Sequence, residues 1–431
     1  MSRTRIVRSA QAVARCAWQL ARSVLFTGLA GVAGWRSPTS AVYAQEPARD
    51  GDVPSKDAED TPFNINLVAA TLGGTQVWTD EFIQGEYRIQ RNVLTGHYRL
   101  LDDLDQRLAW GTEDQCWTRF RQVVAEKRLE PVRGKVVVLL HGLGRSKAVL
   151  TPMADYLREK GGYTALRFGY ASTREGIEQH AEALRKVIEG LGDVEEINFV
   201  GHSLGNIVLR HYLADEAAAR AASQQPRAVN PAIMNPTIVN PTSVIPAAAN
   251  PLTAAKPLTA AKLAAASEPL TAAKQAAAAK LVTSAKPTAA AAVADRRVPR
   301  RIVMLGPPNN GALIAKRLHG TGIFGFVTGR SGEALGGNWD QLVGNLATPE
   351  CEFGILAGGT GDDRGHNPLL PGDDDLVVRV EETKLRGARD FMLVPFRHSQ
   401  MLSEPQVQAA VLRFLQLGQF RLDGVRDPID E

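Results

Sequence analysis

Cysteine is scarce in this chain, at three residues in 431. None stands near histidines at metal-ligand spacing, so the sequence suggests no structural or catalytic zinc. Acidic residues are missing before Glu46, whereas arginine recurs at positions 3, 5, 8, 15 and 22. Long apolar runs are missing too: residues 23–35 form one that is too short to cross a bilayer comfortably. A basic start, a short apolar run and Val42-Tyr43-Ala44 before Gln45 make residues 1–44 a secretory signal by pattern. The same features fit an organellar transit peptide or an uncleaved anchor. No arginine pair occurs in that segment, which favours general export over the folded-protein route.

These absences reshape the charge argument. The formal charge is +4, but six arginines precede residue 45, and without them 44 basic residues face 46 acidic ones. A near-neutral exported chain gives no reason to expect nucleic acid as a partner. Cys16 leaves with the signal. Cys116 and Cys351 remain, either as a pair in an oxidising compartment or as two buried thiols.

Residues 45–62 are acidic, polar and broken by proline, and read as a flexible linker. Residues 63–130 read as a structured extension, with turn-and-strand material at 71–75 and 96–102. Its helix is expected over residues 115–126, with Trp117, Phe120 and Val124 on one face. From residue 131 to about 420 strands and helices alternate, the pattern of an α/β domain with a mostly parallel sheet. Strands are expected at 135–140, 163–168, 197–202, 301–305, 353–358 and 391–395. Helices are expected at 150–160, 175–191, 204–217, 313–318, 339–346 and 404–416. Residues 222–296 interrupt the alternation with recurring Asn-Pro and three copies of Pro-Leu-Thr-Ala-Ala-Lys. Such repeats are too short and too rich in alanine and proline to stack into a core, so the segment reads as a disordered surface insert. Its lysines suit a solvated spacer or contact with an anionic surface. The tail, 421–431, is expected to fray.

One stretch carries chemistry. Ile197 to Arg210 reads as a short apolar strand, a sharp turn with Ser203 at its tip, and an amphipathic helix leaving it. The turn is Gly201-His202-Ser203-Leu204-Gly205, a Gly-x-Ser-x-Gly nucleophile elbow in the context such an elbow requires. Strand and helix meet there backbone to backbone, so side chains at Gly201 or Gly205 would collide. The helix start also presents amides to a developing oxyanion.

An activated serine needs a base, and that base needs an orienting acid. Of the histidines after Ser203, His211 lies two turns along the same helix and His319 and His366 lie in Gly-rich loops. His398 follows a strand and precedes the last helix, and is the expected base. Asp373, Asp374 and Asp375 offer the acid. Asp375, against the expected strand start Leu376-Val377-Val378, is preferred over Asp374, and the three together also fit a calcium loop or a solvated turn. The oxyanion amides are expected from Leu204 and from Leu143, in the loop His141-Gly142-Leu143-Gly144, where Gly142 and Gly144 let backbone approach a substrate. His141 reads as a structural loop residue.

Together Leu140-His141-Gly142-Leu143-Gly144, the elbow and the Asp375…His398 pairing resemble the α/β-hydrolase superfamily, specifically bacterial triacylglycerol lipases and esterases. Residues 306–312 are similar to the loop these enzymes place beside the acyl pocket, and Asp375-Leu376-Val377-Val378 is similar to their Asp-Gly-Val-Val, with Leu376 in place of glycine. The resemblance covers about 131–420 less the insert. It implies a twisted, mostly parallel sheet flanked by helices, no cofactor, and ester hydrolysis through an acyl-enzyme. The apolar stretch 323–327, read as a loop, fits either a lid in transient contact with a membrane or lipid surface or a piece of surface core. The expected function is an exported serine hydrolase acting on a lipid or acyl ester. Acyl transfer or thioester hydrolysis on the same triad, or a non-catalytic envelope binding protein that kept the fold, are the rival readings.

Overall fold

The computed structural model describes residues 69–70, 76–192, 194–224, 298–318 and 322–430, with the backbone alone described for 69–70, 224 and 322–327. The signal, the linker, the turn at 71–75, nearly all of the insert and His319 lie outside the described residues.

The extension is a five-stranded antiparallel sheet in the order β1-β5-β4-β3-β2, from β1 (Ala69–Ala70), β2 (Trp78–Gln84), β3 (Tyr87–Asn92), β4 (Tyr98–Leu101) and β5 (Gln106–Gly111). Helix α1 (Glu113–Lys127) covers it. Thr112 caps this helix in a capping box with Gln115, which sets its start two residues before the expected one. Phe82, Ile89, Leu100, Cys116, Trp117, Phe120 and Val123 fill the space between. Cys116 and Cys351 are both free thiols, and burial pushes each up to about 12. Neither is a reactive thiolate at neutral pH.

The second sheet has six strands, all parallel, in the order β11-β10-β9-β8-β6-β7. In chain order the elements are β6 (Gly134–Leu140), α2 (Thr151–Gly161), β7 (Thr164–Phe168), α3 (Ile177–Glu189), β8 (Val194–His202) and α4 (Leu204–Gln224). After the insert come β9 (Arg301–Leu305), α5 (Leu313–Leu318), α6 (Gly322–Gly336), α7 (Trp339–Val343), β10 (Glu352–Gly358), α8 (Val380–Thr383), β11 (Asp390–Val394) and α9 (Pro405–Leu417). The strands are apolar runs because both sheet faces are covered. Val136, Val138 and Leu140 face α3 and α4; Val137 and Leu139 face α2 and α9. Truncating Leu139 or Leu140 to alanine would cost about 2–5 kcal/mol. Strand β8 lies between β6 and β9, so its C-terminal end, at Ser203, opens at the middle of one sheet edge.

The extension is joined to this sheet by polar groups as well as apolar ones. Asp80, fully buried, accepts hydrogen bonds from Arg88 Nη1 at 2.7 Å, Gln90 Nε2 at 2.6 Å and the Gly169 amide at 2.7 Å. Its own amide donates to the Gly169 carbonyl at 2.8 Å. A buried carboxylate with three donors is satisfied, whereas removing one partner would leave a buried charge exposed to a low-dielectric interior.

Three expectations need correction. Leu376-Val377-Val378 is not a strand: the Asp375 carboxylate takes the amides of Val377 and Val378, at 3.0 and 2.8 Å, that a strand would have paired. Residues 323–327 lie within α6 and are not a loop. The glycines there weaken a helix without forbidding it. The helix breaks further on, at Gly329 (φ 56°, ψ −154°), where a Cβ would overlap the Thr173 carbonyl. The tail does not simply fray, because Phe391 donates to the Asp427 carbonyl at 2.8 Å and Ile429 to that of Ala388 at 3.0 Å. It covers backbone along the last strand, which would otherwise be an open sheet edge.

Candidate active site

Ser203 stands between β8 and α4 with φ 55°, a left-handed conformation rare for a residue with a side chain. Its amide donates to the Leu305 carbonyl at 2.9 Å, fixing the turn to the end of β9. Strain of this kind costs about 1–3 kcal/mol and persists only where the surroundings enforce it. Gly205 is required by contact: a Cβ there would lie 2.7 Å from the Leu140 carbonyl oxygen, where α4 crosses β6. At Gly201 a Cβ would overlap the Asn206 carboxamide, which instead donates to the Ser203 and Leu305 carbonyls.

The structure places Asp375, not Asp374, against His398. Nδ1 of His398 donates to Asp375 Oδ2 at 2.6 Å, and Asp375 is fully buried. The two residues also share backbone, the His398 amide donating to the Asp375 carbonyl at 2.9 Å. Asp374 turns the other way, accepting from the amides of Leu376 and Asn367. Asp373 accepts from Thr360 and from the Gly361 amide. The three acids thus hold separate segments and do not converge on one point. Leu376, where the resembling enzymes carry glycine, sits at φ 91°, so this chain holds a leucine in a conformation that favours glycine.

With Nδ1 committed to Asp375, Nε2 of His398 is the free base position. It is buried and has no hydrogen-bond partner among the described residues. Two residues that sequence reasoning did not single out define where the ring sits. Gly306, directly after the Leu305 that holds Ser203, has φ 49°, and a Cβ on it would lie 2.9 Å from His398 Nδ1 and 3.1 Å from Asp375 Oδ2. His202, directly before Ser203, donates Nε2–H to the His398 carbonyl at 2.9 Å, and its ring centroid lies 4.7 Å from that of His398. Burial holds His202 neutral, well below the usual histidine range. Beyond the resemblance of 306–312 to a loop beside the acyl pocket, the sequence signal for either was adjacency, to a strand end and to the serine.

The loop after β6 closes the other side. A Cβ on Gly142 would lie 3.0 Å from Ser203 Cβ and 3.5 Å from its Oγ, so this backbone rests on the serine. The Gly142 carbonyl accepts from the Arg145 amide at 3.2 Å and from His141 Nδ1 at 2.9 Å. His141 is stacked on Tyr170, 4.2 Å between centroids, and burial lowers it to about 4, so it is neutral. The Tyr170 amide donates to its Nε2, which leaves Nδ1 carrying the proton. Since the peptide is trans, fixing the Gly142 carbonyl also fixes the Leu143 N–H in the opposite direction. The Gly144 amide is already used, on Ser172 Oγ at 3.0 Å. Leu143 packs at the margin of the core, and Leu204, fully buried, opens α4. His211 is buried within α4 and meets Asp215, and His366 donates its amide to the Asp374 carbonyl. Neither meets the His398–Asp375 pair.

An all-parallel sheet with a serine elbow after a central strand, and an Asp–His pair from later loops in that order, is the α/β-hydrolase fold. Within it, residues 132–234 match the protein family described as "Putative serine esterase (DUF676)". No curated protein matches the chain. Among solved structures it is similar, at 13% identity, to the mature lipase BlEst2 of Bacillus licheniformis, over 67% of this chain and 94% of that one, with a TM-score of 0.38. It is also similar to phospholipase PlaB of Legionella pneumophila, at 13% identity over 66% and 60% of the two chains and a TM-score of 0.38. A third is the monoacylglycerol lipase of Paleococcus ferrophilus, at 13% identity over 65% and 95% and a TM-score of 0.34.

Proposed function

We propose that this chain is an exported serine hydrolase that cleaves carboxylic esters, with lipid or acyl esters as the preferred class. One observation carries the reading: a strained elbow serine shares its support, Leu305–Gly306, with a histidine whose Nδ1 is bound to a buried aspartate and whose Nε2 is unpartnered among the described residues. In this reading Ser203 Oγ attacks the ester carbonyl and passes its proton to His398 Nε2. Asp375 keeps the proton on Nδ1 and stabilises the imidazolium. The amides of Leu143 and Leu204 take the oxyanion. His398 then protonates the departing alkoxide, and water, deprotonated by the same nitrogen, releases the acid and restores the serine.

The family matched by residues 132–234 supports an ester as substrate. The lipid preference rests on the apolar composition of residues 323–327, at the start of α6, and export rests on the signal pattern of residues 1–44. The test is hydrolysis of p-nitrophenyl esters from acetate to palmitate by the full chain and by Ser203→Ala. Activity that rises with acyl length and vanishes in the variant is expected. Activity confined to acetate and butyrate would remove the lipid preference. Absence of Ser203-dependent turnover on every ester would overturn the reading.

A further inference from the structure

The extension lies outside the segment matched to the esterase family, yet it reaches the loop that rests on Ser203. Gln76, just before β2, donates Nε2–H to the Arg145 carbonyl at 2.8 Å. Arg145 closes the turn whose first residue is Gly142. The other end of the same carboxamide, Oε1, accepts from Thr173 Oγ1 at 2.7 Å, from the Thr173 amide at 3.3 Å and from Ser172 Oγ at 3.4 Å. Ser172 Oγ in turn accepts the Gly144 amide. One side chain therefore ties the 142–145 turn to the loop after β7. Gln76 itself is held at φ 41°, outside the conformations a glutamine prefers, and that cost implies a position fixed by its surroundings.

A second tether lies two residues further along. Lys147, largely buried, meets Asp105 of the β4–β5 turn at 2.6 and 2.9 Å. The extension thus grips this segment at two points, Arg145 and Lys147. Two neighbouring contacts, Thr79 Oγ1 with the Ala171 amide and Asp80 with Gly169, fix the loop on the other side of Gln76.

We propose that Gln76 is a positioning residue for transition-state stabilisation: from the extension it holds the 142–145 turn so that the Leu143 amide meets the oxyanion. This rests on the serine-hydrolase reading. It makes the extension part of the reacting site through the 142–145 turn that it holds. A displacement near 1 Å at a reacting centre can cost about 100-fold in rate, so partial loosening of the turn is expected to cost about 10- to 100-fold.

The experiment compares the full chain with Gln76→Met, which keeps length and loses both polar ends, and Gln76→Glu, which keeps the acceptor for Thr173 and loses the donor to Arg145. The readouts are kcat and KM on p-nitrophenyl butyrate, the inhibition constant of an aryl trifluoromethyl ketone, and the melting temperature. The ketone adds to an active serine as an oxyanion. Both variants are expected to lose kcat about 10- to 100-fold with KM within about threefold, and to bind the ketone more weakly by a similar factor. If Gln76→Met does not fold, Gln76→Glu alone carries the comparison. A kcat within twofold of the parent in a folded variant overturns the proposal. So does a kcat loss with unchanged ketone affinity, which would mark Gln76 as structural only. A parent chain that neither hydrolyses the ester nor binds the ketone would instead overturn the serine-hydrolase reading beneath it.

Discussion

Replacing Asp375 by asparagine changes one atom, and the structure dictates how the amide must sit. Oδ1 of Asp375 accepts two backbone N–H groups, from Val377 and Val378. An asparagine NH2 placed there would face two donors, so its oxygen stays on that side and the NH2 turns to His398. It then meets Nδ1, which today donates at 2.6 Å. Two donors cannot share that line, and the imidazole moves its proton to Nε2, the atom needed as base. The serine loses its proton acceptor while the fold loses almost nothing. The same substitution in a serine protease triad lowers kcat about 10⁴-fold, about 5 kcal/mol of barrier, and a loss of that order is expected here. The assay is kcat on p-nitrophenyl butyrate, with the melting temperature as control. Asp374→Asn and Asp373→Asn are the comparison, because their carboxylates serve residues 360–367 and 376. They should cost stability, about 1 kcal/mol per lost hydrogen bond, and leave kcat within about tenfold. If Asp375→Asn stays within tenfold of the parent while Asp374→Asn falls a thousandfold, the assignment of the acid is wrong.

Two further outcomes follow from the same geometry. Gly306→Ala places a Cβ 2.9 Å from His398 Nδ1 at a positive φ, so kcat should fall at least about 100-fold by displacement of the imidazole; near-normal turnover in a folded variant would show that the ring is not held there. Burial lowers His141 to about 4 and His180 to about 3, and holds His202 well below the usual histidine range. Each is protonated in the unfolded chain below its free value near 6.5 and neutral in the fold, so stability falls as pH drops below that value. The slope is roughly 1.4 kcal/mol per pH unit for each group. Urea midpoints should fall steadily from pH 6.5 to 4.5, and His180→Gln, beside Ser331, should flatten that slope by about a third; an unchanged slope would mean that His180 is charged in the fold.

The sequence by itself determined the α/β class, the elbow and the order of its partners, because each is a local signal. Apolar β-formers ended by glycine mark strands buried on both faces, and Gly201-His202-Ser203-Leu204-Gly205 between a strand and a helix leaves little conformational choice. Among the neighbouring acids Asp373, Asp374 and Asp375 it favoured Asp375, the one that meets His398, but on the ground of a strand at 376–378 that does not form. The tertiary structure separated them through which backbone amides each carboxylate meets, and it replaced an expected strand at 376–378 with a turn built on those bonds. Helix α6 went unread because its glycines look like loop punctuation, while its break at Gly329 depends on Thr173, a residue 156 positions earlier. The role of the extension was illegible for a related reason. Gln76 and Arg145 are 69 positions apart, and no local pattern marks a hydrogen bond that exists only once two sheets have docked.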